Sequence, residues 1–496
     1  MNKFFILFGL VPSLVFAQST DPLLSKLNFG EYPPGYTFIE AYDLSRPPLR
    51  EQAKGEGRIV PIYFWYPGSE PTSSTMTFRS YLDDIAHSLG ENVERESVSG
   101  KAREIFADYH FDIPDSIIQA YTNLEIKTLA CRDIPLHDGK FPVVVFNHGN
   151  VDRWWVWGEF LASHGIAVVG TPNAGTFRKR HEMGLSGLET QIRDAQFAVS
   201  IVTKNKNIDG EFVIAAGSSY GSLAATGFAT RDKRVKGVIS LDGIIADVNE
   251  GELITQTPYF DYQRFTTPIL HVNSGFSWSS NYTLMDRLIY ADQYRIDMRT
   301  LRHSDYHFEG MADLYGCNFR GGELVDNSAG FKSLTAYALA FIKGITGEPE
   351  QLKLLSSRLE EAEKAVFVEG GASYSASELL SMIRVKGFNE VVKIYQSKKE
   401  AHPQPFSPET FYEVGLTLHR YRMIEEEIIW FEFYKESFPK SADAYYRLAR
   451  LKALTGNQEL GRKMLNETKQ MIPNDPHISE DRKTYLLSRV DYFLNR

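Results

Sequence analysis

The chain has 496 residues, of which 43% are hydrophobic, 24% charged and 13% aromatic, which excludes a disordered or fibrous protein and leaves room for a large core. Its 54 Lys and Arg against 63 Asp and Glu give a net charge of −9, so it lacks the basic surplus that phosphate-backbone binding needs. Cys131 and Cys317 are the only cysteines, too few for a disulfide scaffold or a paired-cysteine zinc motif; they form one bridge or stay unpaired.

Met1-Asn2-Lys3 and the apolar run Phe4 to Phe16 have the basic start and greasy middle of a secretory signal peptide. Val15 and Ala17 are small residues at the positions a signal peptidase reads, so residues 1–17 are expected to be removed before Gln18. The mature chain is then expected to be secreted or periplasmic, with no span long enough to cross a bilayer.

From about residue 28 to 75, apolar groups alternate with Pro and Gly, as in Tyr32-Pro33-Pro34-Gly35 and Ile59 to Tyr66, which predicts short antiparallel strands at one side of a sheet. From Phe141 the pattern changes to short Val- and Ile-rich runs separated by amphipathic stretches. These runs are Val143–Phe146, Ala167–Gly170, Phe212–Ala216, Val235–Leu241 and Ile269–Val272. They predict buried parallel strands covered by helices, with chemistry at the strands' carboxyl ends. A last strand-like segment, Asp297–Leu301, precedes a helix. The expected fold class is α/β, over residues 18–347. Residues 348–373 read as a linker, and 374–496 as an all-helical domain.

In that tail, residues 34 apart match: Phe411 with Tyr445, Val414 with Leu448, Gly415 with Ala449, Phe431 with Leu465 and Pro439 with Pro473. The spacing and residue types resemble tetratricopeptide repeats, with a weaker unit from Glu378 to Pro403 turning at Gly387. The alternative is an unrelated bundle of helical hairpins.

The run Phe212–Ala216 leads into Gly217-Ser218-Ser219-Tyr220-Gly221, which fits G-x-S-x-G around Ser219 and not around Ser218. The nucleophile of such an elbow sits on a strained strand-to-helix turn, so its flanking positions must be small. About seventy residues earlier, Val143 to Phe146 leads into Asn147-His148-Gly149-Asn150. In hydrolases with this pattern a backbone N–H after the His-Gly pair and the one after the nucleophile hold the oxyanion, which assigns the N–H groups of Asn150 and Tyr220. His148 receives no catalytic role.

An acid and then a histidine must follow the serine. Val235–Leu241 ends at Asp242-Gly243, whereas Ile269–Val272 is followed by no carboxylate until Asp286, so Asp242 is the expected acid. Two histidines compete as base in Arg302-His303-Ser304-Asp305-Tyr306-His307-Phe308. His303 reads as too close to the strand, which favours His307; Asp305 reads as a solvated loop residue. Trp154, Trp155 and Trp157 follow the oxyanion loop and read as core, with an acyl pocket or a lipid contact as the alternative.

His148-Gly149, Leu161-Ala162-Ser163-His164-Gly165, Gly217-x-Ser219-x-Gly221, Leu241-Asp242-Gly243, Val272-Asn273-Ser274 and His307-Phe308 together resemble platelet-activating-factor acetylhydrolases and related dienelactone-hydrolase-like α/β-hydrolases, from about Phe29 to Gly347. The resemblance implies Ser219 as nucleophile, Asp242 as orienting acid, His307 as base and no cofactor or metal. Two departures stand out: Ser222 where the family often has a second Gly, and one extra residue before His307, which keeps His303 in contention. The expected function is an exported serine hydrolase cleaving a carboxylic ester, of a short acyl chain or phospholipid as the resemblance implies. A protein partner is expected on the repeats, with no nucleic acid involved. The competing reading is an idle hydrolase scaffold that acts as an interaction protein.

Overall fold

The structure is a computed structural model. It describes residues 21–496 except 51, 53–55, 71–73, 89–112, 148, 180, 248–249, 263, 276–281, 283, 320–322, 360, 371–373, 375, 400–404 and 496. The expected signal peptide, residues 1–17, and His148 lie outside the described residues. The chain divides into two compact units, the first running to Val368 and the second from Glu369 to Arg496; the second also takes in Tyr262–Thr266 and Leu288–Ala291.

The first unit holds one mixed sheet. Its strands are β1 (Pro34–Asp43), β2 (Arg58–Pro67), β3 (Thr75–Thr77), β4 (Lys127–Arg132), β5 (Phe141–Asn147), β6 (Ala167–Gly170), β7 (Ile208–Ser218), β8 (Val235–Leu241), β9 (Ile269–Asn273), β10 (Gln293–Met298) and β11 (Ala362–Val368). The order across the sheet is β11-β10-β9-β8-β7-β5-β6-β2-β1-β4-β3. Strands β6, β5, β7, β8, β9 and β10 are parallel neighbours, while β2 runs antiparallel to both β6 and β1. The five expected parallel runs from Val143 to Val272 all lie in strands, and the first strands are antiparallel as expected.

The helices are α1 (Phe78–His87), α2 (Asp115–Thr122), α3 (Val151–Ser163), α4 (Leu185–Val202), α5 (Gly221–Arg231), the single-turn α6 (Phe308–Met311) and α7 (Ser328–Thr346). Both sheet faces are covered, and the strand sequences show why. Val144, Phe146, Ile214, Ala216, Ile239 and Leu241 alternate along their strands and join one core cluster with Trp154, Trp157 and Leu161 of α3 and Phe331 and Phe341 of α7. The intervening Val143, Val145, Val213, Ala215 and Val238 are equally buried. Strands buried on both sides read as continuous apolar runs because neither face meets water. Trp154, Trp155 and Trp157 are all core residues, as the first of their two readings had it.

Two boundaries differ from expectation. The last parallel strand is Gln293–Met298, not Asp297–Leu301. The segment 348–373, read as a linker, contains β11, which pairs antiparallel with β10 from Gln293↔Val368 to Met298↔Ala362. Its charged residues Glu363 and Lys364 are exposed on an edge strand and cut the apolar run short.

The second unit is all helical: α8 (Ala376–Lys386), α9 (Phe388–Lys399), α10 (Pro408–Arg420), α11 (Ile424–Ser437), α12 (Ala442–Leu454), α13 (Gln458–Met471) and α14 (Glu480–Leu494). Gly387 between α8 and α9 has φ +86°, a left-handed position that glycine takes without strain. A Cβ on Gly415 would lie 2.4 Å from Cζ of Phe431, so the missing side chain on α10 is what admits the ring from α11. One repeat length on, Ala449 and Leu465 occupy the corresponding places and are buried. Ser407 and Ser441, also 34 apart, cap α10 and α12 by accepting hydrogen bonds from the Thr410 and Ala444 N–H groups.

Candidate active site

β7 ends at Ser218 and α5 starts at Gly221, so Ser219 sits in the turn between them with φ +53°. A non-glycine residue in the left-handed region costs on the order of 1–2 kcal/mol. The turn holds it there through Ser219 N–H to Leu241 O at 3.2 Å and Ile244 N–H to Ser219 O at 3.2 Å. A Cβ on Gly217 would lie 2.1 Å from the backbone oxygen of Gly221, so only glycine fits there. Ser222 supports the elbow, since its hydroxyl donates to Ser219 O at 2.7 Å and accepts from Ile245 N–H at 3.3 Å. Ser219 is partly exposed, whereas Ser218 is fully buried in the strand.

Asp242 follows β8, the neighbour of β7, again at positive φ, +43°. One carboxylate oxygen accepts from Ser274 N–H, just past β9, at 2.7 Å. The other lies 2.6 Å from Nδ1 of His303. Burial pushes the Asp242 carboxyl up, but the hydrogen bond and charge of His303, with the Ser274 N–H, outweigh it and hold the carboxyl below its usual range. Asp286, the next carboxylate after β9 in the sequence, instead pairs with Arg295 at 2.7 Å.

The histidine is where the sequence reading needs correction. His307 does not meet Asp242. It is 3% exposed, its ring packs edge-on against Trp154 at 4.8 Å, and neither ring nitrogen has a hydrogen-bond partner among the described residues. Burial, with the nearby Arg153 charge, drives its pKa down to about 3, so it stays neutral. The side chain of His303 is 55% exposed, and its Nδ1 is held by Asp242. The physical reason is the earlier strand end: β10 stops at Met298, leaving Arg299 to Arg302 to lead the chain away before His303 opens a single 3₁₀ turn, His303–Tyr306. His307 caps the next helical turn instead. Asp305, read as solvated, is completely buried; its Oδ2 accepts from Arg302 N–H at 2.8 Å and from Asn327 Nδ2 at 2.6 Å.

Asn150 is the N-cap of α3 and Tyr220 that of α5, so both expected oxyanion donors stand where a helix presents its positive end. Gly149, with φ +124°, lies against α3: a Cβ there would be 2.9 Å from both Arg153 Cδ and Trp154 Nε1. Behind Asp242, His271 of β9 bonds through Nδ1 to Ser240 Oγ of β8 at 2.9 Å. Burial lowers its pKa to about 4. Cys131 and Cys317 are buried and not joined by a disulfide. No helix among the described residues is long and apolar enough to cross a membrane.

A parallel sheet with an antiparallel first pair, a strained serine between a strand and a helix, and an acid after the neighbouring strand define the α/β-hydrolase fold. No protein-family model matches the chain, and no curated protein matches it. Among solved structures it is similar to a ferulic acid esterase from Streptomyces cinnamoneus, with a TM-score of 0.50 and 17% identity over 68% of this chain and 97% of that one. That likeness shows the fold.

Proposed function

We propose that the protein is a serine hydrolase that cleaves a carboxylic ester through an acyl-enzyme, with Ser219 as nucleophile, His303 as base and Asp242 as orienting acid. The observation that carries this reading is the Asp242–His303 bond of 2.6 Å beside a serine held at φ +53°. His303 Nε2 takes the Ser219 proton as the hydroxyl oxygen bonds to the acyl carbon. The carbonyl electron pair moves onto oxygen, where the Asn150 and Tyr220 N–H groups receive the charge. Collapse expels the alcohol, which takes the proton from His303. Water, deprotonated by the same imidazole, then releases the acid and frees Ser219. Asp242 keeps Nδ1 protonated and stabilises the imidazolium throughout.

An ester as the bond cleaved is supported by the ferulic acid esterase to which the fold is similar. We read residues 1–17 as a cleaved export signal, tested by the N-terminal mass of the mature protein. We read the helical unit as tetratricopeptide-like and a peptide-binding surface, supported by the buried and helix-capping residues that recur at 34-residue spacing. The test of the enzyme reading is labelling by a fluorophosphonate probe together with hydrolysis of p-nitrophenyl esters of graded acyl length. Ser219→Ala should abolish labelling, and His303→Ala and Asp242→Asn should each lower turnover by about 10⁴-fold. A wild-type protein that neither labels nor turns over any of these esters would refute it.

A further inference from the structure

We infer that Asp305 and Asn327 form a buried clamp that positions His303, so that the base is set by a carboxylate which never touches the substrate. The inference rests on the serine-hydrolase reading above. His303 is the most exposed of the three proposed catalytic side chains, and it stands on a turn of four residues, too short to fix a ring by itself. Asp242 holds its Nδ1, and the backbone of the turn needs an anchor of its own. Asp305 occupies the third position of that turn and is completely buried, which a carboxylate tolerates only when its oxygens are satisfied.

One oxygen, Oδ2, receives two donors of different origin. The Arg302 N–H, at 2.8 Å, belongs to the N-cap residue just before His303, so this bond anchors the backbone where the turn carrying the imidazole begins. The Asn327 amide, at 2.6 Å, belongs to the N-cap residue of α7, a 19-residue helix packed in the core cluster. The carboxylate therefore fastens a short turn to a rigid element. A second tether is independent of the first: Trp157 Nε1 donates to Tyr306 O at 2.9 Å, and Trp157 belongs to α3, the helix that begins after Asn150. The turn carrying the base is thus registered against the helix whose start carries one oxyanion donor. Asn327 is itself 6% exposed, so the bond its amide donates to Asp305 is shielded from water.

The clamp acts through His303 and not on substrate, so its loss should lower kcat and leave KM nearly unchanged. A displacement of about 1 Å at a reacting group costs up to about 100-fold in rate. Asp305→Ala removes both bonds, and Asn327→Asp sets two carboxylates against each other. The reciprocal double variant, Asp305→Asn with Asn327→Asp, restores one donor facing one acceptor.

The experiment measures p-nitrophenyl ester turnover and fluorophosphonate labelling per folded molecule, along with the low-field proton resonance of His303 Nδ1–H bonded to Asp242. Asp305→Ala and Asn327→Asp should lower kcat at least about tenfold at unchanged KM and shift or broaden the low-field resonance. The double variant regains the link to α7 but sets an amide nitrogen where Arg302 N–H needs an acceptor, so it should recover part of both. Trp157→Phe, which keeps an aromatic ring in the core but loses the donor and part of the buried volume, should give a smaller loss of the same kind per folded molecule; it carries the test if Asp305→Ala does not fold. Variants that fold and match wild type in kcat and in the resonance would overturn the clamp. So would activity lost only in proportion to folded protein. A wild type that is not labelled would instead overturn the serine-hydrolase reading on which the clamp depends.

Discussion

Substituting His307 by Leu separates a buried histidine from the one proposed as the base. The folded protein keeps the ring neutral down to about pH 3, whereas the unfolded chain protonates it near the ordinary 6.5. The folded-state value is the lower one, so stability from this group is complete above pH 6.5 and is lost as the pH falls toward 3. The gap of 3.5 between the two values corresponds to about 5 kcal/mol in full, and to about 3 kcal/mol at pH 4. Leu carries no such penalty. At neutral pH it forfeits the edge-on contact with Trp154, worth about 1 kcal/mol. His307→Leu should therefore be slightly less stable than wild type at pH 7 and about 2 kcal/mol more stable at pH 4. Other titrating groups, including His271 and Glu159, are common to both proteins and cancel in the difference. Urea denaturation at pH 7, 5.5 and 4 measures it, with fluorophosphonate labelling at pH 7 alongside. The folded variant should label within about threefold of wild type, while His303→Leu should lose labelling almost entirely. A stability difference that does not change with pH, or a folded His307→Leu protein that no longer labels, would refute the assignment of the two histidines.

Glu159, in the middle of α3, has a carboxyl that burial raises to about 7 against the hydrogen bonds from Tyr81 and the Leu129 N–H. Its folded-state value lies above the unfolded 4.5, so its contribution is complete below pH 4.5 and falls by about 3 kcal/mol as the pH rises through 7; Glu159→Gln should flatten that part of the stability curve, and an unchanged slope would count against it. Gly217→Ala places a methyl 2.1 Å from a backbone oxygen, so it should cost at least about 3 kcal/mol in chemical denaturation or abolish labelling in protein that still folds. Ser441→Ala removes the cap of α12 and should cost about 1 kcal/mol in the stability of the helical unit, with ester turnover unchanged.

Much of this architecture was legible in the sequence because it is written in local terms. Runs such as Val143 to Phe146 and Ala167 to Val169 are apolar at every position, a pattern that only strands buried on both faces require. The elbow was legible because strain leaves a mark on composition, demanding glycine on both sides of Ser219. Asp242 was found by where β8 ends. Asn327 and the burial of Asp305 were not legible, since a clamp between residues 22 apart leaves no periodic trace.

Which histidine meets Asp242 was beyond local reading for a definite reason. His303 and His307 are four residues apart in the same segment, and either is chemically competent. What separates them is the residue at which β10 stops, and that is decided by pairing with β9 and β11, far away in sequence. With the strand ending at Met298, the turn brings His303 to Asp242 and packs His307 beneath Trp154. The chain by itself thus determined that a serine, an acid and a histidine stand at the carboxyl ends of a buried parallel sheet. Only the tertiary structure decided which histidine, because long-range strand pairing sets the register of the turn that carries it.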